Sequence, residues 1–315
     1  IETYSSTFDV NIAPQSSQEY EIDSLELEKD NHNSVVFEYL AGDFLIASEQ
    51  IILSEGKLSA DINSDGKTTV KPSENKLYIT FDNGSMIFDK STGFITSYIY
   101  KNHEMINSFP LGDFKGFAPA FYRAPLDNDR NICKYWHTMG LRNTSNICKG
   151  SSFTDNGDNI VVTTNIKSIA NCILPVANTQ IKYTIYPNGN ILVDVNCLGG
   201  GAVKLLPRFG VMLEMPKEYE NIKYFGLGED VNLPDYKEHT INKVYQITVD
   251  KLKEDYIKPQ ESATRCDVRF AEITNASGFG LRFEAVSKPF VFSASHYTSN
   301  QWAKAMHRDD LVDLP

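Results

Sequence analysis

Apolar and polar residues alternate in short runs along most of the chain, and clusters of Gly, Pro, Asn, Asp and Ser separate the runs. Phe8, Val10 and Ile12 alternate with polar neighbours and predict a half-buried strand, followed by a turn over Pro14–Gln18. Tyr20, Ile22 and Leu25 begin another apolar run, Val35–Leu40 predicts a third strand and Glu49–Leu53 a fourth. Leu77–Phe81 and Met86–Phe88 flank Asp82-Asn83-Gly84-Ser85, and an Asn-Gly pair between two such runs predicts a hairpin. Phe94–Tyr100, Ile160–Thr164, Ile181–Tyr186 and Ile191–Cys197 read as further strands, with Pro187–Asn190 turning between the last two. Pro207-Arg208-Phe209-Gly210 leads into Val211–Leu213. A short helix is expected over Tyr135–Leu141, and no long amphipathic helix or internal repeat is present. Short strands at regular spacing with polar turns predict an all-β sandwich protein.

Ser59–Glu74 breaks the pattern, because it is rich in Ser, Asp, Gly, Asn, Thr and Lys and has little to bury. It divides the chain into an expected unit over 1–62 and a larger one over 63–315. Within it, Asp61-Ile62-Asn63-Ser64-Asp65-Gly66 copies the first half of a calcium-binding loop. That geometry needs a bidentate Glu at the twelfth position, which here is Pro72, so the stretch reads as a turn.

Composition narrows the partners. A hydrophobic share of 41% supports a real core, while a net charge of −11 argues against nucleic acid or an anionic membrane, both of which need a basic face. No apolar run approaches the roughly 20 residues of a membrane span. The five cysteines, Cys133, Cys148, Cys172, Cys197 and Cys266, are scattered and include no C-x-x-C pair. That argues against a zinc site and against a full disulfide framework, and leaves buried free thiols as the expectation. Gly199-Gly200-Gly201 lacks the lysine and helix signal of a phosphate-binding loop and reads as a turn. Ile1-Glu2-Thr3-Tyr4 has neither an initiator Met nor a signal peptide and reads as the start of a piece of a longer protein.

The densest chemistry lies in Phe121-Tyr122-Arg123-Ala124-Pro125-Leu126-Asp127-Asn128-Asp129-Arg130. Pro125 stiffens the backbone and Asp-Asn-Asp favours a turn, so the segment leaves a strand and fixes polar groups at its end. Arg123, Asp127, Asn128 and Asp129 either bind sugar hydroxyls or tie the loop to the sheet by bidentate hydrogen bonds. Asp127, Asp129 and Asn131 alternate like metal ligands, but Ile132 replaces the required loop glycine and Thr138 stands where an acid is needed. Trp136 reads as core packing or as a platform for the apolar face of a sugar. Three more motifs follow: Tyr224-Phe225-Gly226-Leu227-Gly228 with Pro234-Asp235; Tyr256-Ile257-Lys258-Pro259-Gln260-Glu261 with Thr264–Phe270; and Phe292–Tyr297 with His307-Arg308. Arg265 and His296 join the candidate site residues from these.

Together the motifs resemble the C-terminal region of bacterial β-galactosidases of glycoside hydrolase family two. Phe121–Arg130 resembles the signature loop of that family's large sandwich domain, and Leu77–Tyr100 its opening strands. Val10–Gln15 and Ala47–Gln50 are similar to its Ig-like fourth domain, without that domain's first strands. The resemblance implies a partial Ig-like sandwich followed by a large antiparallel supersandwich akin to galactose mutarotase. It also implies that the chain completes one wall of a galactoside site in a retaining glycosidase. The family's acid/base and nucleophile glutamates lie in Asn-Glu and Glu-Tyr-Ala-His segments of a barrel domain, and neither segment occurs here. No catalytic residue and no cofactor is therefore expected in this segment. A divalent ion (Mg or Ca) and Na are implied for the catalytic part, and the implied partners are the remaining domains of the same polypeptide, a galactoside and further copies in a homo-oligomer.

The chain departs from the family in three places. After Gly228 the family continues Pro-x-Glu-x-Tyr-Pro-Asp-Arg; here Glu229, Val231, Leu233 and Tyr236 stand at those places, and only Pro234 and Asp235 match. The loop that helps close the family's site is replaced by the shorter Arg130–Tyr135. The family also continues past His307-Arg308 with more strands, so an exposed sheet edge is expected. Two other readings compete: a mutarotase or epimerase using His296 and His137 with a nearby acid, and a carbohydrate-binding module without chemistry.

Overall fold

A computed structural model describes residues 4–21, 25, 27–58, 62, 65–106 and 116–312. The protein is all-β, with antiparallel open sheets and a few short helices. It divides into two compact units, Ile1–Lys57 and Leu58–Pro315.

The first unit carries one hairpin, β1 (His32–Ala41) and β2 (Phe44–Glu55), with Val35 opposite Ile51 and a turn at Gly42 in the left-handed region. The alternation over Phe8–Ile12 does not become a strand: among the described residues of 4–31 none is in a ladder, and Phe8 instead stacks on Tyr20 at 5.5 Å. Alternation supplies a face to bury, but a strand also needs a neighbour to receive its N–H and C=O groups.

The second unit begins inside the predicted linker, because Thr68 is buried and β3 (Thr69–Pro72) pairs with β4 (Lys76–Phe81). Residues 61, 63 and 64 of the calcium-loop pattern lie outside the described residues. The sheet continues through β5 (Gly84–Asp89), β6 (Phe94–Tyr100) and β7 (His103–Glu104). The hairpin turns at Asn83, whose positive φ suits asparagine. After β8 (Ala118–Ala120) and helix α1 (Ile132–Thr138), a second sheet forms from β9 (Thr144–Asp155), β10 (Ile160–Ala170), β11 (Leu174–Ile185) and β12 (Ile191–Gly199), in the order β12-β11-β10-β9. Leu77, Ile79 and Phe81 of β4 point inward with Met86 and Phe88 of β5, against Ile160, Val162 and Ile166 of β10 and Ile181 and Tyr183 of β11. Each such side chain contributes about 1.5–3 kcal/mol by leaving water, which is what holds the two sheets face to face.

A second sandwich follows. β13 (Gly210–Met212) pairs with β8, then β14 (Asn221–Gly228), β15 (Ile241–Thr248), β17 (Phe270–Thr274) and β18 (Gly280–Glu284) form a sheet in the order β15-β14-β17-β18. It packs over Ile222, Tyr224, Tyr245 and Ala271 against Val268 of β16 (Thr264–Val268), Phe292 of β19 (Phe290–Ser293) and Val249 and Leu252 of α2 (Val249–Leu252). Its edges, β15 and β18, take no further strand among the described residues. Helix α3 (Ser299–Lys304) is capped by Thr298, whose hydroxyl accepts the Gln301 N–H while Gln301 returns the contact. A third apolar cluster joins Phe121, Tyr122, Trp136, Leu141, Ala170, Val176, Ala177 and Val203, with Ala303 of α3 packed on it.

All five cysteines are free, but only Cys266 is buried; Cys172 is exposed and the rest are half-buried. Burial pushes the Cys266 thiol up to about 11. Among the described residues no helix is long and apolar enough to cross a membrane.

Candidate functional site

The site is built on β8. Phe121 and Tyr122, just past its end, are buried and anchor the chain before it emerges. Leu126 is extended, and a 3-10 turn follows over Asp127–Asp129, closed by the Asp129 N–H donating to Leu126 O at 3.0 Å. Asp129 folds back over this turn. Its Oδ2 accepts Arg123 Nη1 at 2.5 Å and the Leu126 N–H at 2.8 Å, and its Oδ1 accepts Arg123 Nη2 at 3.1 Å. Because Pro125 has no N–H, Leu126 offers the first donor after it, and Asp129 takes that donor.

Arg123 is thus held by a two-point grip, and Nη1 also donates to Ala124 O at 3.1 Å. Its guanidinium lies 5.3 Å from the ring centre of Trp136. A cation on an indole face contributes about 0.5–2 kcal/mol, the upper end when desolvated. The segment expected as a closing loop, Arg130–Tyr135, turns directly into α1, which places Trp136 in the third core cluster at 4% exposure. The ring therefore presents no open face for stacking; its edge and face serve Arg123 and the core.

Asp127 and Asn128 are exposed at the tip of the turn. Of the two acids that could tie the loop down, Asp129 makes the part-buried contact, and Asp127 is held through its backbone N–H, which donates to Gln260 Oε1 at 3.0 Å. Beside the turn, Tyr122 Oη lies 3.2 Å from His137 Nε2. Burial, then the nearby Arg142 charge, lowers the His137 pKa; burial raises that of Tyr122, partly opposed by Arg142.

Arg123, Asp129 and Trp136 meet, Asp127 and Asn128 stand on the same turn, and Arg265 and His296 lie elsewhere. Arg265 is inside the second sandwich, 1% exposed, donating to Thr264 O at 3.0 Å and Leu252 O at 3.3 Å. Its guanidinium serves the backbone of the core rather than a surface. His296 lies 3.6 Å from Glu220 and 4.0 Å from Asp250, and its contacts share no residue with those of His137. Gln260, Glu261 and Arg208 enter as residues the sequence reading did not single out for the site. Glu261 is buried, and accepts Thr264 Oγ1 at 3.4 Å with Arg208 Nη1 at 3.9 Å. The signal available was the Pro-Gln-Glu run, in which an acid sits at the start of a buried stretch. Among the described residues no three His, Cys, Asp or Glu side chains are placed to hold a metal ion.

The family described as Beta galactosidase small chain matches residues 80–314, which include the whole of this site. The chain belongs to the β-galactosidase small chain family. Among curated proteins it is similar to the "Beta-galactosidase" of Actinobacillus pleuropneumoniae, 28% identical over 88% of this chain and 26% of the relative. It is likewise similar to those of Halalkalibacterium halodurans, 25% identical over 85% of this chain and 26% of the relative, and Staphylococcus xylosus, 24% identical over 85% and 26%. This small-chain protein therefore spans about a quarter of the length of the curated relatives it matches.

Proposed function

We propose that this chain forms the C-terminal part of a retaining β-galactosidase of glycoside hydrolase family two, where the Arg123–Asp129 loop completes one wall of the galactoside site. On this reading the first unit is a partial Ig-like sandwich, the second is the mutarotase-like supersandwich, and the catalytic carboxylates stand in other domains of the same polypeptide. The divalent ion and Na implied by the resemblance bind in that part too, and the whole assembles as a homo-oligomer.

The observation that carries the reading is the bidentate Arg123–Asp129 pair seated on Trp136, which presents Asp127 and Asn128 outward from a rigid base. A carboxylate and an amide held this way match the hydroxyls of a sugar, and a fixed first contact is what a supporting shell provides. Retaining hydrolysis needs two carboxyl groups about 5–5.5 Å apart across one bond. The Asp127–Asp129 turn does not offer that pair, since Asp129 is committed to Arg123 and Leu126.

A mutarotase or epimerase is less well supported, because His137 and His296 belong to separate contact sets and neither completes an acid–base pair with the other. A binding module without chemistry shares the loop's geometry but does not account for kinship with proteins of which the match covers only about a quarter. The test is a chromogenic galactoside assay on this chain alone, purified free of host galactosidase. No turnover is expected. Turnover that survives purification and disappears in Asp127→Ala would move the active site into this sandwich.

A further inference from the structure

We infer that Gln260 is a positioning residue for the Asp127–Asp129 turn, locked in place by the buried Glu261 beside it. The inference rests on the galactoside role proposed for that turn.

The first N–H of a helical turn has no acceptor within the turn. Here that group is Asp127 N–H, and Leu126, at the capping position, has no side-chain oxygen to offer. The acceptor arrives from 133 positions along the chain: Gln260 Oε1, at 3.0 Å. The turn stands at the end of β8, while Gln260 opens onto the second sandwich, so this bond pins one to the other.

Gln260 is itself held on both sides. Pro259 before it is buried and fixes its own φ. From Glu261 through Cys266 every residue is buried. Glu261 accepts Thr264 Oγ1 at 3.4 Å and lies 3.9 Å from Arg208 Nη1, and Arg208 Nη2 donates to Ser299 Oγ at 3.2 Å. Ser299 opens α3, whose Asn300 donates to Arg142 O at 3.0 Å and whose Ala303 packs on the cluster containing Trp136. The track from Asp127 through Gln260, Glu261, Arg208 and α3 thus returns to the floor of the same site. A side chain whose neighbours are fixed this way sets the height of the Asp127 backbone, and with it the direction in which the Asp127 and Asn128 side chains point.

Two substitutions separate positioning from bulk. Gln260→Met keeps the shape and removes the acceptor; Gln260→Glu keeps an acceptor oxygen. In Gln260→Met, amide exchange at Asp127 should speed up by roughly threefold to tenfold, the range of one ordinary hydrogen bond, with the melting temperature little changed. In the complete polypeptide, Gln260→Met should raise KM for a galactoside by a similar factor with a smaller effect on kcat, and Gln260→Glu should retain both the protection and the KM. Unchanged exchange in Gln260→Met overturns the inference, and so does faster exchange with an unmoved KM. If KM responds to Asp129→Asn but not to Gln260→Met, only this inference falls. If it responds to neither, the galactoside reading falls with it.

Discussion

Asp129 Oδ2 accepts two hydrogen bonds at once, from Arg123 Nη1 at 2.5 Å and from the Leu126 N–H at 2.8 Å. One atom therefore fixes both the guanidinium on Trp136 and the backbone that enters the turn. Asp129→Asn leaves the arginine without its charged partner while keeping the size of the side chain. It should destabilise the second unit by about 1–3 kcal/mol, the cost of leaving a largely buried group unpaired. Asp127→Ala, at an exposed side chain, should stay within about 0.5 kcal/mol. Denaturant melts of the two variants check this, and equal effects would show that the turn is not organised around Asp129.

The glycines of Tyr224-Phe225-Gly226-Leu227-Gly228 are needed for close approach and not for a left-handed backbone. Neither has positive φ, whereas a Cβ on Gly228 would stand 2.1 Å from Tyr224 Oη and one on Gly226 2.7 Å from a Val268 methyl. Gly228→Ala should therefore cost about 1–3 kcal/mol through overpacking against buried Tyr224. Gly157→Ala, with open space at its Cβ, isolates the backbone effect of replacing a glycine at positive φ and serves as the comparison.

Asp89 closes the turn between β5 and β6. Partial burial works against its charge, but the Ser91 hydroxyl and the Ser91 and Thr92 N–H groups prevail, holding its pKa below the ordinary 3.8. A depressed folded pKa contributes stability that is present above the unfolded pKa and is lost as pH falls through the folded one. The stability gap between wild type and Asp89→Ala should be widest above pH ~5 and close progressively below 3.8, as urea melts across that range would record. A gap that persists unchanged below the folded pKa would count against the charge-linked turn.

Limited trypsin digestion should cut at Lys57 or Lys67 before Lys71, because Lys71 lies in β3 opposite Tyr78 and the compact units meet in sequence at Lys57 and Leu58. Mass analysis of the first fragments decides it; early cutting at Lys71 or Lys76 would place the boundary elsewhere.

The inner strands of the first sandwich were legible because their patterns are local. Leu77, Ile79 and Phe81 alternate, and Asn83-Gly84 names its own turn. β9 was not legible: Thr-Ser-Asn-Ile-Cys-Lys-Gly-Ser-Ser-Phe-Thr-Asp is an edge strand, half-solvated, with little apolar alternation to detect. Phe8–Ile12 shows the opposite failure, a pattern with no partner strand among the described residues. In the site, Arg123, Asp129 and Trp136 were all visible as chemistry, but the choice of Asp129 over Asp127 depends on a 3-10 turn that reverses the chain. The Gln260 contact depends on tertiary placement across 133 positions, which no local spacing encodes.

The most direct test of the account is kcat/KM for galactoside hydrolysis by the complete polypeptide carrying Arg123→Lys. Lysine keeps the charge and loses the fork that grips Asp129 and lies on Trp136. The account predicts a fall of about tenfold or more, equivalent to roughly 1.4 kcal/mol of lost transition-state stabilisation, in a protein that remains folded. An unchanged kcat/KM in a folded variant would contradict the claim that this loop forms part of the galactoside site.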